Sequence, residues 1–141
     1  MGTSLQDTGL RVKRLQMQHQ RAANRALQDV GLTIVQWDAL RHLQANPDAS
    51  LHDLALLTFQ TDQSMGSLAG RLIDRGLIER VPGPGRAVHH ALTDRGTALR
   101  DAGATVLDQV LSTSFAPLSA AELATLDDLL RRLVHLSSQL Q

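Results

Sequence analysis

The sequence predicts a mainly α-helical (α+β) fold: a winged helix-turn-helix flanked at both chain ends by helices that form a dimerisation bundle. Three observations carry that expectation. Two short helical patterns meet at a turn within residues 50–75. Two strand-like runs follow at once, Leu77-Ile78-Glu79-Arg80-Val81 and Ala87-Val88-His89-His90-Ala91-Leu92. A tight Pro82-Gly83-Pro84-Gly85-Arg86 turn joins them. A hairpin directly behind the second of two short helices is the order of a winged unit, which sets one helix in the major groove of DNA and the hairpin tip beside it.

Each element has its own local signal. From about Gly9 to Val30, Val12, Leu15, Ala22, Ala23, Ala26 and Leu27 recur at helical spacing, and Gly31 ends the run. Thr33-x-x-Gln36 is a capping box for a second helix, whose inward face is Ile34, Trp37, Leu40 and Leu43 and which Asn46-Pro47 closes. Ser50, with Asp53 three residues on, caps a short third helix that turns Leu51, Leu54 and Ala55 inward. The fourth helix starts near Thr61, and Met65, Leu68, Ala69, Leu72 and Ile73 form its apolar stripe before Gly76 stops it. By strand alternation, Val88, His90 and Leu92 face inward and His89 faces out. Thr93 caps a long fifth helix reaching about Phe115, striped by Leu99, Val106, Leu107, Val110 and Leu111. After Pro117, Ser119-x-x-Glu122 opens a sixth helix carrying Leu123, Leu126, Leu129, Leu130, Leu133 and Leu136. The winged unit thus spans about residues 33–93, and the flanking helices about 5–30 and 94–140.

Composition narrows the function classes. The 141 residues are 43% apolar, enough for one domain with an adequate core. With no cysteine, disulfides, thiolate metal sites and thiol-based redox sensing are excluded. No apolar run approaches the roughly 20 residues of a bilayer span, and the polar start of the chain lacks a signal core, so a soluble cytoplasmic protein is expected. Charge balances at 14 basic and 14 acidic residues but is unevenly spread. Residues 1–27 carry Arg11, Lys13, Arg14, Arg21 and Arg25 against Asp7 alone, whereas residues 60–86 carry Arg71, Arg75, Arg80 and Arg86 against Asp62, Asp74 and Glu79. Nucleic-acid binders usually show a clearer basic footprint than this. The terminal stripes exceed what the winged unit can cover, and a two-fold homodimer is the commonest way to bury such surface. An intramolecular helical bundle is the alternative.

The order of elements resembles the MarR family of bacterial transcription regulators along nearly the whole chain. The resemblance rests on Gly31-Leu32-Thr33-Ile34-Val35-Gln36-Trp37, on Arg71-Leu72-Ile73-Asp74-Arg75-Gly76-Leu77-Ile78-Glu79-Arg80 and on Leu92-Thr93-Asp94-Arg95-Gly96. It implies two-fold dimers formed by terminal helices, repression of genes, and release from DNA by small anionic or phenolic ligands bound between the dimer helices and the winged unit. In the family that pocket lies among the first, second and fifth helices. Here His19, Ala23, Trp37, Leu40 and Arg41 are the positions that could line it, with Arg41 holding a carboxylate; alternatively Trp37 is core and Arg41 is solvated. The chain departs from the family's usual Asp-x-Arg-Arg wing tip, carrying Gly83-Pro84-Gly85-Arg86 instead. Ser67 stands where an arginine is common, and Gly70 where an acidic residue often pairs with the wing.

Double-stranded DNA is the expected partner, and Thr61, Gln63, Ser64, Ser67, Arg71 and Arg86 are the candidate contacts. Gln63 and Ser64 lie in the first turn of the fourth helix, the part of a recognition helix that enters the groove most deeply. Glutamine reads adenine through paired hydrogen bonds, serine bonds bases or phosphates, and arginine grips guanine or phosphate. Arg86 at the wing tip suits a minor groove or a phosphate. The bland alternative is a solvated helix face and a plain turn. Gly66 and Gly70 disfavour a helix by roughly 1 kcal/mol each, so they either admit phosphate or another chain or mark a tight helix contact. His19, His42, His52, His89, His90 and His135 are scattered with no helical i, i+4 pair, and no metal or cofactor is expected. An enzyme is not expected either, since no nucleophile motif or phosphate-cradling loop occurs. The runner-up reading is a winged-helix dimer of weak DNA affinity that works as a ligand-binding or protein-interaction module. So few arginines predict a shallow salt dependence: binding measured at low and moderate salt should weaken far less than ~10⁴-fold, and a loss that large contradicts the reading.

Overall fold

The computed structural model describes residues 2–83, 85 and 88–139, with side chains through residue 134. Six helices and one hairpin follow in order: α1 (Leu5–Gln28), α2 (Ile34–Ala45), α3 (Leu51–Leu57), α4 (Asp62–Asp74), β1 (Ile78–Val81), β2 (His89–Leu92), α5 (Asp94–Phe115) and α6 (Ala120–Gln139). This is a winged helix with long terminal helices.

Local capping chemistry sets most boundaries. The Ser4 hydroxyl accepts the Asp7 N–H at 3.3 Å, so α1 starts about one turn before the periodic pattern does. Reciprocal capping boxes open α2 (Thr33 with Gln36) and α3 (Ser50 with Asp53). The same pair of bonds, Glu122 N–H to Ser119 Oγ and Ser119 N–H to Glu122 Oε1, opens α6. Gly31 and Gly76 take the left-handed conformation, at φ +77° and +71°, where glycine carries no Cβ penalty.

The core lies where α1, α2, α4 and α5 meet behind the hairpin. Leu27, Leu40, Leu54, Met65, Leu72 and Leu77 are its fully buried side chains. Trp37 closes the α2–α5 contact by donating Nε1–H to the Arg100 carbonyl at 2.9 Å. Gly103 permits that approach, because a Cβ there would lie 2.4 Å from the indole Cδ1.

A second close approach ties the hairpin to α5. After α4, Gly76 N–H bonds the Ile73 carbonyl and Leu77 N–H bonds the Leu72 carbonyl, a Schellman closure. Thr93 then binds that turn twice: its N–H to the Leu77 carbonyl at 3.0 Å and its hydroxyl to the Gly76 carbonyl at 2.6 Å. The Thr93 hydroxyl also accepts the Gly96 N–H, capping α5. A Cβ on Gly96 would fall 1.9 Å from the Leu77 carbonyl oxygen. Leu77 therefore belongs to the helix closure rather than to the strand.

The hairpin corrects the alternation-based expectation. Its antiparallel register pairs Ile78 with Leu92 and Val81 with His89. Val88, expected inward, is 55% exposed, and His89, expected outward, is buried with His90. The cause is the turn: the Gly83 backbone folds over the His89 ring, covering what would be a free strand face.

The sixth helix makes no substantial packing contact with the rest of the described chain. Its Leu123, Leu129, Leu130 and Leu133 stay between 38% and 58% exposed. Replacing Gly96 with alanine should lower stability in urea unfolding by roughly 1–3 kcal/mol, because the Leu77 carbonyl is held by Thr93 and cannot move aside. An unchanged unfolding midpoint would contradict that account of the junction.

Candidate nucleic-acid interface

The fourth helix is two-faced. Met65, Leu68, Ala69 and Leu72 are buried, while Thr61, Gln63, Ser64, Ser67, Gly70 and Arg71 are all exposed on the other side. Thr61 is the N-cap, its hydroxyl accepting the Ser64 N–H at 3.0 Å, so the first turn is held in register. A Cβ at Gly66 or Gly70 would meet nothing within 4 Å. Neither glycine therefore marks a tight contact with a neighbouring helix in this chain. Both leave bare backbone on the outer surface.

The basic residues near this face do not all point outward. Arg75 turns back and donates to Gln36 Oε1 at 3.1 Å, joining the end of α4 to the start of α2. Arg71 is thus the exposed basic side chain among the candidate residues of α4. Arg86 lies outside the described residues. A pair that sequence reading missed links the two short helices: His52 Nδ1 lies 2.8 Å from Asp62 Oδ1. The hydrogen bond to Asp62, and then the carboxylate's charge, raise the His52 pKa above its ordinary 6.5. When protonated, the ring offsets an acid in the first turn of α4, where an unpaired carboxylate would repel phosphate.

A cavity of about 970 Å³ opens among α1, α2, α5 and the α3–α4 turn. His19, Ala23, Trp37 and Arg41 line it, whereas Leu40 is fully buried and does not reach it. The Arg41 guanidinium sits 5.6 Å from the Trp37 ring centroid, in cation–π range. His19 Nε2 is 2.6 Å from Ser114 Oγ, and its ring meets Phe115 edge-on. Arg100 and Phe59 are among the lining residues that the sequence reading did not assign to the cavity. Arg100 donates from Nη1 to Asp101 Oδ1 at 3.1 Å, while its buried Nε has no hydrogen-bond partner among the described residues. Phe59 is 90% exposed at φ +56°, an uncommon backbone for a bulky residue. The indole and the exposed phenyl ring give the lining flat apolar surface, and its two guanidinium groups stand beside two carboxylates, Asp38 and Asp108, so its formal charges balance. Among the described residues no three His, Asp or Glu side chains converge on a metal position, and no helix is long and apolar enough to cross a membrane.

Comparison with known proteins agrees with this arrangement. Residues 30–87 match the profile of the MarR family. A probable transcriptional regulator from Pseudomonas aeruginosa is 30% identical over 89% of this chain and 95% of its own, with a TM-score of 0.76. A MarR family protein of Mycobacterium tuberculosis, solved in complex with DNA, is 26% identical over 94% of this chain and 98% of its own, with a TM-score of 0.78. The same protein has been solved with salicylic acid. A MarR family regulator from Rhodococcus superposes with a TM-score of 0.84 at 22% identity, over 94% of this chain and 96% of its own, a likeness of fold. No curated protein matches the sequence significantly.

The His52–Asp62 pair gives a signed pH prediction. Because folding raises the His52 pKa, the pair's contribution is fully present below 6.5 and is lost as pH rises through the raised value. An NMR titration of the His52 ring should give a midpoint above 6.5 that falls back in Asp62→Asn. Identical midpoints in the two proteins would show that the pair does not form.

Proposed function

Because this chain belongs to the MarR family, we propose that it is a homodimeric transcription regulator, a repressor, acting on cytoplasmic DNA. DNA-binding transcription regulation is the family's role, and its members are generally not enzymes. In this reading residues 33–93 read DNA while residues 5–30 and 94–140 hold two copies together. Each copy lays α4 in one of two successive major grooves of a pseudo-palindromic site, with half-sites about 34 Å apart.

The observation that carries the reading is the outward face of α4. Thr61, Gln63, Ser64, Ser67 and Arg71 stand exposed on a helix whose opposite face is buried. They offer hydroxyl, amide and guanidinium groups suited to base edges and phosphates, and Arg86 of the wing completes the proposed set. The backbone amides at the start of α4 add phosphate-binding capacity without side-chain charge.

Dimerisation is supported by apolar surface the chain leaves uncovered at its ends. Leu129, Leu130 and Leu133 on α6, with Leu5 and Val12 on α1, are exposed by 38% to 91%. Their burial between two copies would stabilise association by roughly 25 cal/mol per Å². Ligand release is supported by the cavity beside Trp37. A small anionic or phenolic molecule held there by Arg41 and Arg100, with His19 at its side, would bias the angle between winged unit and bundle, and so the spacing of the two heads. The M. tuberculosis protein's complex with salicylic acid points to the same class of molecule.

One observation favours the second reading, a dimer of weak DNA affinity that acts through ligand or protein contacts. Arg75 is engaged by Gln36, which leaves the outward face of α4 with little positive charge. Fluorescence anisotropy on the DNA upstream of the gene separates the two. The proposal expects nanomolar specific binding, and Leu133→Glu should yield a folded monomer bound at least about 100-fold more weakly. Micromolar, salt-sensitive binding alone supports the second reading, and a wild-type monomer contradicts both.

A further inference from the structure

We propose that His89 and His90 form an acid-operated latch beneath the wing, seating the hairpin while both rings are neutral and releasing it when they take up protons. The two rings are only 7% and 3% exposed. His89 Nδ1, His89 Nε2 and His90 Nδ1 are buried with no hydrogen-bond partner among the described residues. They border a cavity of about 440 Å³ between the hairpin, the end of α2 and the first turn of α5, whose walls include the apolar Leu43, Pro47, Val81 and Leu92. The Gly83 backbone closes over His89 so tightly that a Cβ there would overlap the ring.

Among the described residues, no group around the pair compensates a proton. On β1, Arg80 lies directly opposite His90 in the register and repels positive charge. The end of α2 contributes Gln44 and α5 contributes Thr97, neither of them charged at neutral pH. Asp48, after α2, is the acidic residue at the cavity wall; it is exposed and no unpartnered ring nitrogen reaches it. His89 is also a neighbour of His90, and positive charge on it opposes charging His90. A charged ring in this position is stabilised only by reaching water, and the thin cover is Pro82-Gly83. The hairpin has four residues per strand, too few to hold itself without its seat on the core.

The direction follows from the same groups. Burial, then Arg80, then His89 lower the His90 pKa below its ordinary 6.5. Its neutral form therefore contributes stability in full above pH 6.5, and that contribution is lost as pH falls through the lowered value. On the reading proposed above, an unseated wing no longer presents its tip to the duplex, so acid would release DNA.

Hydrogen exchange on the full chain without DNA tests the latch, and its outcome is independent of whether the protein binds DNA. Between about pH 7.5 and about pH 5.5, protection of the amides of Ile78–Val81 and His89–Leu92 should fall at least about tenfold relative to α4 amides. The double variant His89→Phe with His90→Phe should keep its wing protection across that range, since it fills the same space with nothing to charge. Wing protection that tracks α4 at every pH, or an equal acid loss in the variant, would overturn the proposal. If the variant does not fold, NMR titration of the wild-type rings decides: protonation coinciding with the loss of wing protection supports the latch, and rings that charge under an unchanged wing overturn it.

Discussion

The architecture depends on one backbone junction, the meeting of the Gly76-Leu77 turn with the first turn of α5. The Leu77 carbonyl accepts from Thr93, the Gly76 carbonyl accepts the Thr93 hydroxyl, and Gly96 gives the space for both. Through these contacts the end of the exposed-faced helix, the start of the hairpin and the start of the longest internal helix are fixed by a single cluster of atoms. Leu77, fully buried at this point, anchors the cluster to the core. The α4 head and the α5 shaft therefore meet through one backbone and one side-chain hydrogen bond from Thr93.

That junction gives the cavity beside Trp37 its significance. One wall is α5, through Arg100, Ala104 and Leu107; another is α2, through Trp37 and Arg41; and the third is α1 with His19 and Ala23. The Trp37–Arg100 hydrogen bond and the close approach at Gly103 hold the first two walls together at one side of the space. On the proposed reading, a guest entering there would press on elements that the Leu77 junction links to α4. The charge distribution fits the same division. The strongest cluster of arginines lies on α1, while the outer face of α4 is nearly neutral and offers polar groups and bare backbone at Gly66 and Gly70. On the proposed reading, recognition by such a face would rest on close fit and hydrogen bonds more than on bulk attraction.

Much of the fold was legible because its signals are local. The Thr33–Gln36, Ser50–Asp53 and Ser119–Glu122 boxes are short-range hydrogen-bond patterns, and all three formed as written. The α4 stripe from Met65 to Leu72 was equally plain, since helical periodicity alone assigns its faces. What failed was tertiary. Alternation put His89 outward because it takes a strand to have two distinct faces, and it cannot see a turn folding back over one of them. Periodicity put Leu40 inward, as found, but cannot say which inward space a residue borders. Arg100 and Phe59 carry no spacing signal that distinguishes a cavity wall from ordinary surface. The Thr93-Asp94-Arg95-Gly96 run reads as a helix cap, which it is, but its hold on the Leu77 carbonyl across the hairpin leaves no trace in sequence.

The central claim is that two copies of α4 address one face of a duplex together. Hydroxyl-radical footprinting of the chain on DNA from its own upstream region tests this most directly. The account predicts two protected patches on the same face of the duplex, about 10 base pairs apart from centre to centre. A single protected patch, or uniform protection without that spacing, would contradict it.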